Sequence, residues 1–201
     1  MKIPKITNNN PPNQVTENPP PKNGILEVKV TYLEMIVPLD KDTPTTVGDD
    51  LMILEAKKPG AAFYRYLYQQ VGRPWLWYER CAMTDEKLLS IIEDPAVAIY
   101  VVYIDGVPAG YAELDHRSGS IVELAYFGLI EQFIGHGIGS RFLNWILNVA
   151  WRKQPNCIRV NTCTLDHPKA LLCYQNAGFT IYKQEVIRIR DPRLELFWPK
   201  N

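Results

Sequence analysis

Three apolar runs follow one another through the middle of the chain, AVAIYVVYI at 96–104, VPAGYAELD at 107–115 and SIVELAYFGLI at 120–130, joined through Asp105-Gly106 and Ser118-Gly119. Runs rich in Val, Ile and Tyr favour extended backbone. Asp-Gly or Ser-Gly between two such runs is the dipeptide of a tight hairpin turn. Three consecutive antiparallel strands are therefore predicted, and the rest of the chain has to pack around them.

After the meander, helix and strand alternate. Ile138, Phe142, Leu143, Ile146, Val149 and Ala150 share one helical face over 137–152; CIRVNTCTL at 157–165 is a strand, 168–176 a short helix and FTIYKQEVIRI at 179–189 a last long strand. Before it, 25–37 fits extended structure ending before Pro38, and LMILEA at 51–56 a second strand after the turn-rich KDTPTTVGDD, the two able to pair as a hairpin. Phe63, Tyr64, Leu67, Tyr68 and Val71 have helical spacing between Pro59 and Gly72, and Thr84 stands as an N-cap before a helix through Ile92. The aromatic segment RPWLWYER at 73–80 lies between these helices and either plugs the core or lines a substrate cleft. Residues 1–24, rich in Asn, Pro and Lys, are expected to form a disordered tail, leaving 25–201 as a single domain. The predicted fold class is α/β (α+β): one mixed, largely antiparallel sheet with helices on both faces.

The chain's 22 basic and 22 acidic residues balance, so no global field favours nucleic acid or an anionic membrane. No apolar run approaches the roughly 20 residues of a membrane span, nor does the start resemble a secretory signal, so a cytoplasmic protein is expected. Cys81, Cys157, Cys163 and Cys173 form no CxxC pair, and His116, His136 and His167 are scattered, so free thiols and no metal are expected.

The chemistry concentrates at Ile134-Gly135-His136-Gly137-Ile138-Gly139-Ser140, which follows the third strand and opens an amphipathic helix. Alternating glycines let the backbone curl with its N–H groups inward, and a helix start adds partial positive charge, so the turn suits a phosphate or pyrophosphate. A Walker A loop would need Gly-Lys-Ser/Thr, whereas Arg141 follows the Gly-Ser here. A dinucleotide fingerprint would need G-x-G-x-x-G after the first strand of a parallel unit.

On these residues the chain resembles the GNAT superfamily of acyl-CoA N-acyltransferases. Its motif Gln/Arg-x-x-Gly-x-Gly/Ala falls on Ile134, Gly137 and Gly139, with isoleucine replacing the polar first residue; a second element falls on His167, Ala170, Tyr174, Gly178 and Phe179, with histidine replacing asparagine. The resemblance covers roughly 50–190. It implies a splayed parallel strand pair around the CoA site and acetyl-CoA as donor, with Ile134–Ser140 and His167 on the cofactor side. It also implies that backbone at Phe127 and Leu129 pairs with pantetheine and holds the acyl carbonyl, Gly128 between them permitting a bulge. Tyr174 matches the residue that protonates the departing thiolate. Glu123, eleven residues before Ile134, matches a general base, and Glu113 is the second candidate, acting through water. A glutamate between Val122 and Leu124 on a central strand is costly to bury unpaired, which independently marks Glu123.

The expected activity is acetyl transfer to a primary amine, on a small molecule, peptide or protein, by direct attack and without a cysteine intermediate. A catalytically weak acyl-CoA-binding regulatory or scaffold module is the alternative, and a longer acyl donor is also open. Trp75, Trp77 and Tyr78, with Glu79, would suit a cationic acceptor if their loop lines the cleft.

Overall fold

The computed structural model describes residues 19–39 and 48–198. Its elements in chain order are β1 (Ile25–Met35), β2 (Met52–Glu55), α1 (Gly60–Gly72), α2 (Glu79–Ala82), α3 (Asp85–Ile92), β3 (Val97–Ile104), β4 (Val107–Asp115), β5 (Ile121–Leu129), α4 (Ile138–Trp151), β6 (Cys157–Cys163), α5 (Ala170–Asn176) and β7 (Thr180–Arg190). The meander is β3-β4-β5. Asp105 and Gly106 both have positive φ, 50° and 80°, as a type I′ turn needs. Thr84 caps α3, its Oγ1 accepting from Lys87 N at 3.3 Å. Residues 1–18 of the expected tail, and 41–47 of the expected turn, lie outside the described residues.

The seven strands form one sheet in the order β2-β3-β4-β5-β6-β1-β7, and every neighbouring pair is antiparallel except β5–β6. The expected β1–β2 hairpin does not form. β2 is a four-residue edge strand on β3, whereas β1 lies at the other end of the sheet between β6 and β7. The reason is burial on both faces: Leu33 and Met35 enter the core under α4 and α5, while Val28 and Val30 are covered on the opposite face. An eleven-residue strand covered on both sides belongs inside a sheet, and apolar pattern alone does not say which strands flank it.

Two apolar cores sandwich the sheet. Leu33, Leu114, Leu124, Phe142, Leu147 and Ile158 pack on the α4–α5 face; Tyr64, Leu67, Leu88, Ile99, Val101 and Tyr111 pack on the α1–α3 face. Burying each such side chain contributes about 1.5–3 kcal/mol.

The parallel β5–β6 ladder has three positions, Ile121↔Cys157, Val122↔Ile158 and Glu123↔Arg159, after which the strands part. The partnering of β5 with β4 jumps between Tyr126↔Glu113 and Leu124↔Leu114, leaving Ala125 as the extra residue of a bulge. A bulge bends its strand, so the parting begins where the bulge sits. This corrects the expectation at Gly128. Glycine is required there for another reason: a Cβ would stand 2.4 Å from Val71 Cγ1 of α1.

A Cβ at Gly110 would meet the Gly128 carbonyl oxygen at 2.4 Å and Leu129 Cα at 2.9 Å, both main chain. Gly110→Ala is therefore expected to push β4 from β5 and lower stability by about 1–3 kcal/mol, read as a lower urea midpoint.

Candidate active site

Where β5 and β6 part, main-chain groups are turned into the gap. Ile130 N donates to Ala109 O of the β4 end, so by alternation Phe127 and Leu129 direct their N–H and C=O away from β4, towards the gap. On β6, Thr164 N donates to Lys29 O on the β1 side, which turns Cys163 N the other way, where the Asp166 carboxylate accepts from it at 2.9 Å. Asp166 also accepts from Thr162 Oγ1 at 2.8 Å and Trp77 Nε1 at 3.2 Å. It thereby ties the aromatic loop to the end of β6.

A cleft of about 770 Å³ passes through this gap, and residues from both faces of the sheet line it. At one end stands the glycine turn. Gly135 and Gly137 have φ of 92° and 73°, and a Cβ at either meets no atom within 4 Å, so the backbone conformation, not crowding, calls for glycine. Gly137 is the N-cap of α4 and makes no side-chain cap hydrogen bond, so among the described residues the first-turn N–H groups lack a capping side chain. Open space above unoccupied amides at a helix start fits a pyrophosphate. Ile134, Gly135, Gly137, Gly139 and Ser140 line the cleft; His136 is exposed outside the lining, and the Ile138 side chain is buried in the core. Arg141 forms a two-bond ion pair with Asp50, at 2.7 and 2.8 Å.

Beyond the turn lie Phe127, Gly128, Leu129, His167, Cys173 and Tyr174. The Tyr174 ring meets Phe127 and Phe179 edge-on at 6.4 and 5.9 Å and is 7 % exposed. Burial, with the Asp166 charge adding to it, holds its phenol well above the usual tyrosine value, so it is protonated at neutral pH. His167 Nδ1 accepts from Lys169 N at 3.1 Å, and burial, aided by Lys169, lowers its pKa, so the ring is neutral and presents Nε2–H as donor. Cys163, also in the lining, has its thiol pushed up to about 12 by burial and by Asp166, which leaves little nucleophilic thiolate.

On the α1–α3 side the cleft wall is the aromatic segment. Trp75 and Leu76 are buried while Trp77, Tyr78 and Glu79 also line the space, so the segment both plugs and lines. Leu76 takes a left-handed conformation at φ 58°, and Trp77 packs over Gly72, where a Cβ would lie 2.4 Å from its ring. The exposed Glu79 carboxylate accepts from Tyr126 at 3.0 Å and Tyr68 at 3.4 Å on Oε2, and its Oε1 accepts no hydrogen bond among the described residues.

The other two carboxylates singled out in the sequence lie elsewhere. Glu113 is 0 % exposed, accepts from Tyr64 and pairs with Arg80 at 2.5 Å; neither it nor Glu123 is in the cleft lining. Glu123 is half-buried on the last parallel rung opposite Arg159, its pKa raised by burial against that cation's opposing effect. Arg80, paired with Glu113 and with its guanidinium 5.1 Å above the Tyr126 ring, fixes α2 and with it Glu79. Arg80 and Asp166 were missed in the sequence, since their roles come from contacts with Glu113 and Trp77, 33 and 89 residues away. Among the described residues no group of His, Cys, Asp or Glu converges as a metal site, and no helix is long and apolar enough to cross a membrane.

Glu113→Gln leaves the Arg80 charge buried without its partner, and a loss of about 3–5 kcal/mol in urea unfolding is expected. For His167, an NMR titration is expected to give a pKa below the usual histidine value of about 6.5. Because the folded pKa is lowered, the stability this residue contributes above about pH 6.5 is lost as pH falls through the folded value.

The family model described as the acetyltransferase (GNAT) family matches residues 62–179. No curated protein matches the sequence. Among solved structures, a functionally unknown conserved protein from Staphylococcus epidermidis ATCC 12228 aligns with TM-score 0.60 at 16 % identity, over 84 % of this chain and 64 % of that one. A GCN5-related N-acetyltransferase from Sphaerobacter thermophilus aligns with TM-score 0.57 at 16 % identity, over 83 % and 52 %. An aminoglycoside acetyltransferase from an uncultured soil metagenomic sample, in complex with sisomicin, aligns with TM-score 0.54 at 12 % identity, over 66 % and 90 %. The chain thus spans less than two thirds of the first structure and about half of the second, and at these identities the likeness speaks for the fold. The family match, in contrast, takes in the meander, the parted strands, the glycine turn and Tyr174 over more than half the sequence, and the chain belongs to the GNAT acetyltransferase family.

Proposed function

We propose that this chain is an N-acetyltransferase, moving an acetyl group from acetyl-CoA to an amine by direct attack. The observation that carries the reading is one cleft joining three sites: the glycine turn on one face of the sheet, open strand backbone in the gap, and a carboxylate among aromatic rings on the other face. Acetyl-CoA supplies an activated thioester carbonyl. The turn and the α4 N-terminus receive its pyrophosphate, with Ser140 and His167 as nearby donors. Phe127 and Leu129 offer main-chain N–H and C=O groups to the pantetheine amides, as a neighbouring strand would, and an N–H to the carbonyl oxygen as it gains negative charge. Tyr174 gives its proton to the departing thiolate. Burial keeps that proton on the phenol at neutral pH before the reaction begins.

The proton of the incoming amine goes to Glu79 in this reading, in place of Glu123 or Glu113, because Glu79 alone of the three lines the cleft. Glu113 serves as the buried anchor of α2. Raised thiol pKa values at Cys163 and Cys173 support direct attack over a cysteine intermediate, and four free cysteines fit a reducing, cytoplasmic setting.

A second reading, a CoA-binding module with little turnover, draws on Ile134 and His167 at positions where the family carries polar and asparagine side chains, and on the distance of Glu113 and Glu123 from the cleft. Calorimetric titration with acetyl-CoA, with ATP and NAD as controls, followed by release of free thiol in the presence of amines, separates the two. Saturable binding of acetyl-CoA with amine-dependent thiol release is expected; binding without release in an amine and peptide screen selects the module. Tyr174→Phe is expected to lower kcat by about 10²-fold with acetyl-CoA affinity near wild type. Gly137→Val places a branched side chain at φ 73° over the turn, so CoA affinity should fall sharply. Unchanged affinity in a folded Gly137→Val variant would remove the pyrophosphate assignment.

A further inference from the structure

β7 is an edge strand of eleven residues, and its outer side has no strand partner among the described residues. The opposite edge of the sheet, β2, has only four residues. Which groups β7 leaves open follows from its inner ladder. Asp191 N donates to Gly24 O, and Lys29 of β1 accepts from Thr164 on the β6 side, so Val28 and its partner Ile187 exchange bonds across the β1–β7 ladder. By alternation Gln184, Val186, Arg188 and Arg190 direct their N–H and C=O groups outwards. A row of such unpaired groups is a template for another strand.

The side chains along this edge are apolar in the middle and neutral as a set. Val186 is 59 % exposed on one face of the strand and Ile187 38 % on the other. Each cation of β7 is paired within its own chain: Lys183 with Glu185 at 2.9 Å, Arg188 with Glu27 at 3.4 Å and Arg190 with Glu195 at 2.8 Å. An edge without net charge does not draw in an acidic or a basic peptide, whereas a second copy can approach it without net repulsion.

An antiparallel edge is its own complement about a two-fold axis, and few registers are open to it. The bulge at Tyr182 ends the regular stretch. Centring the pair on Glu185 sets that glutamate against itself, and centring on Arg188 sets two arginines together. Centring on Val186 leaves Arg190 opposite the bulge. Centring on Ile187 sets Val186 opposite Arg188, Glu185 opposite Ile189 and Gln184 opposite Arg190, so all four outward residues of each strand find partners and no like charges meet.

We infer that the β7 edge is an interaction surface for a second copy of this chain, joined β7 to β7 with Ile187 at the two-fold axis. The two sheets then run on as one, with both clefts on the same face. Ile187 and Ile189 line the cleft, so each copy borders the cleft of the other. The pairing does not depend on the transferase reading.

Sedimentation velocity of the full chain, over about a hundredfold range of micromolar concentration, is expected to show a monomer–dimer equilibrium. Amide exchange followed by NMR should slow at Gln184, Val186, Arg188 and Arg190 as concentration rises. The alternate amides of Lys183, Glu185, Ile187 and Ile189, which face β1, should be protected at every concentration. Val186→Lys sets a like charge against Arg188 of the second copy in both symmetric pairs, and Val186→Glu an opposite one. The position is exposed on an edge strand, where folding tolerates either. The dimer dissociation constant of the lysine variant should exceed that of the glutamate variant by about tenfold or more. A folded chain that stays monomeric across the range overturns the pairing, as does a dimer whose outward amides exchange freely, or equal dissociation constants for the two variants. Protection of the outward amides that is independent of concentration also overturns it, because the edge is then covered within one chain.

Discussion

Three rungs of parallel ladder, from Ile121↔Cys157 to Glu123↔Arg159, are all that hold β5 to β6, and the site exists because the ladder stops there. A sheet that continued would satisfy the main chain of Phe127 and Leu129 internally and leave no passage between its faces. The bulge at Ala125 turns β5 aside, and Gly110 and Gly128 let β4, β5 and α1 approach closely on the far side, so the strand bends without losing its other neighbour. Open backbone groups in such a gap need water or a ligand as partner. In the proposed function an amide-bearing pantetheine arm would meet that need.

The second constraint is the buried ion pair of Arg80 with Glu113. Two charges with almost no exposure gain little net stability relative to apolar replacements. What the pair does is positional: it secures a four-residue helix too short to hold itself, which begins at Glu79 in the cleft lining. Tyr64, Tyr68 and Tyr126 continue the network from the core to the cleft edge. The aromatic segment is thus fixed at both ends, by Arg80 at α2 and by Asp166 on Trp77.

Much of the architecture around the glycine turn was legible in the sequence, because its signals are local. Glycine at 135, 137 and 139 before an amphipathic helix, the two hairpin dipeptides, and Tyr174 at a fixed distance from Gly178-Phe179 are all short-range patterns whose physics does not depend on distant partners. The aromatic end of the cleft was legible only in part. Trp77, Tyr78 and Glu79 stood out as an aromatic–acidic cluster, but the carboxylates ranked as bases were chosen by strand position, and strand position does not reveal that Glu113 faces Arg80 or that Glu123 lies on the ladder below the parting. Likewise β1 and β2, adjacent in sequence, read as a hairpin. Their true neighbours depend on registers set more than a hundred residues away.

That placement of β1 has a kinetic consequence. Its ladder partners run from Ile158 to Arg190, so the half-sheet β6-β1-β7 closes only after most of the chain has been made. During synthesis β1 leaves the ribosome first and must wait, an eleven-residue strand with two unpaired edges, while the meander and α4 have local contacts with which to begin folding. The glycine turn and the strand that precedes it are thus built from sequence-near parts. The β6-β1-β7 side of the cleft, in contrast, requires the meeting of strands far apart in the sequence.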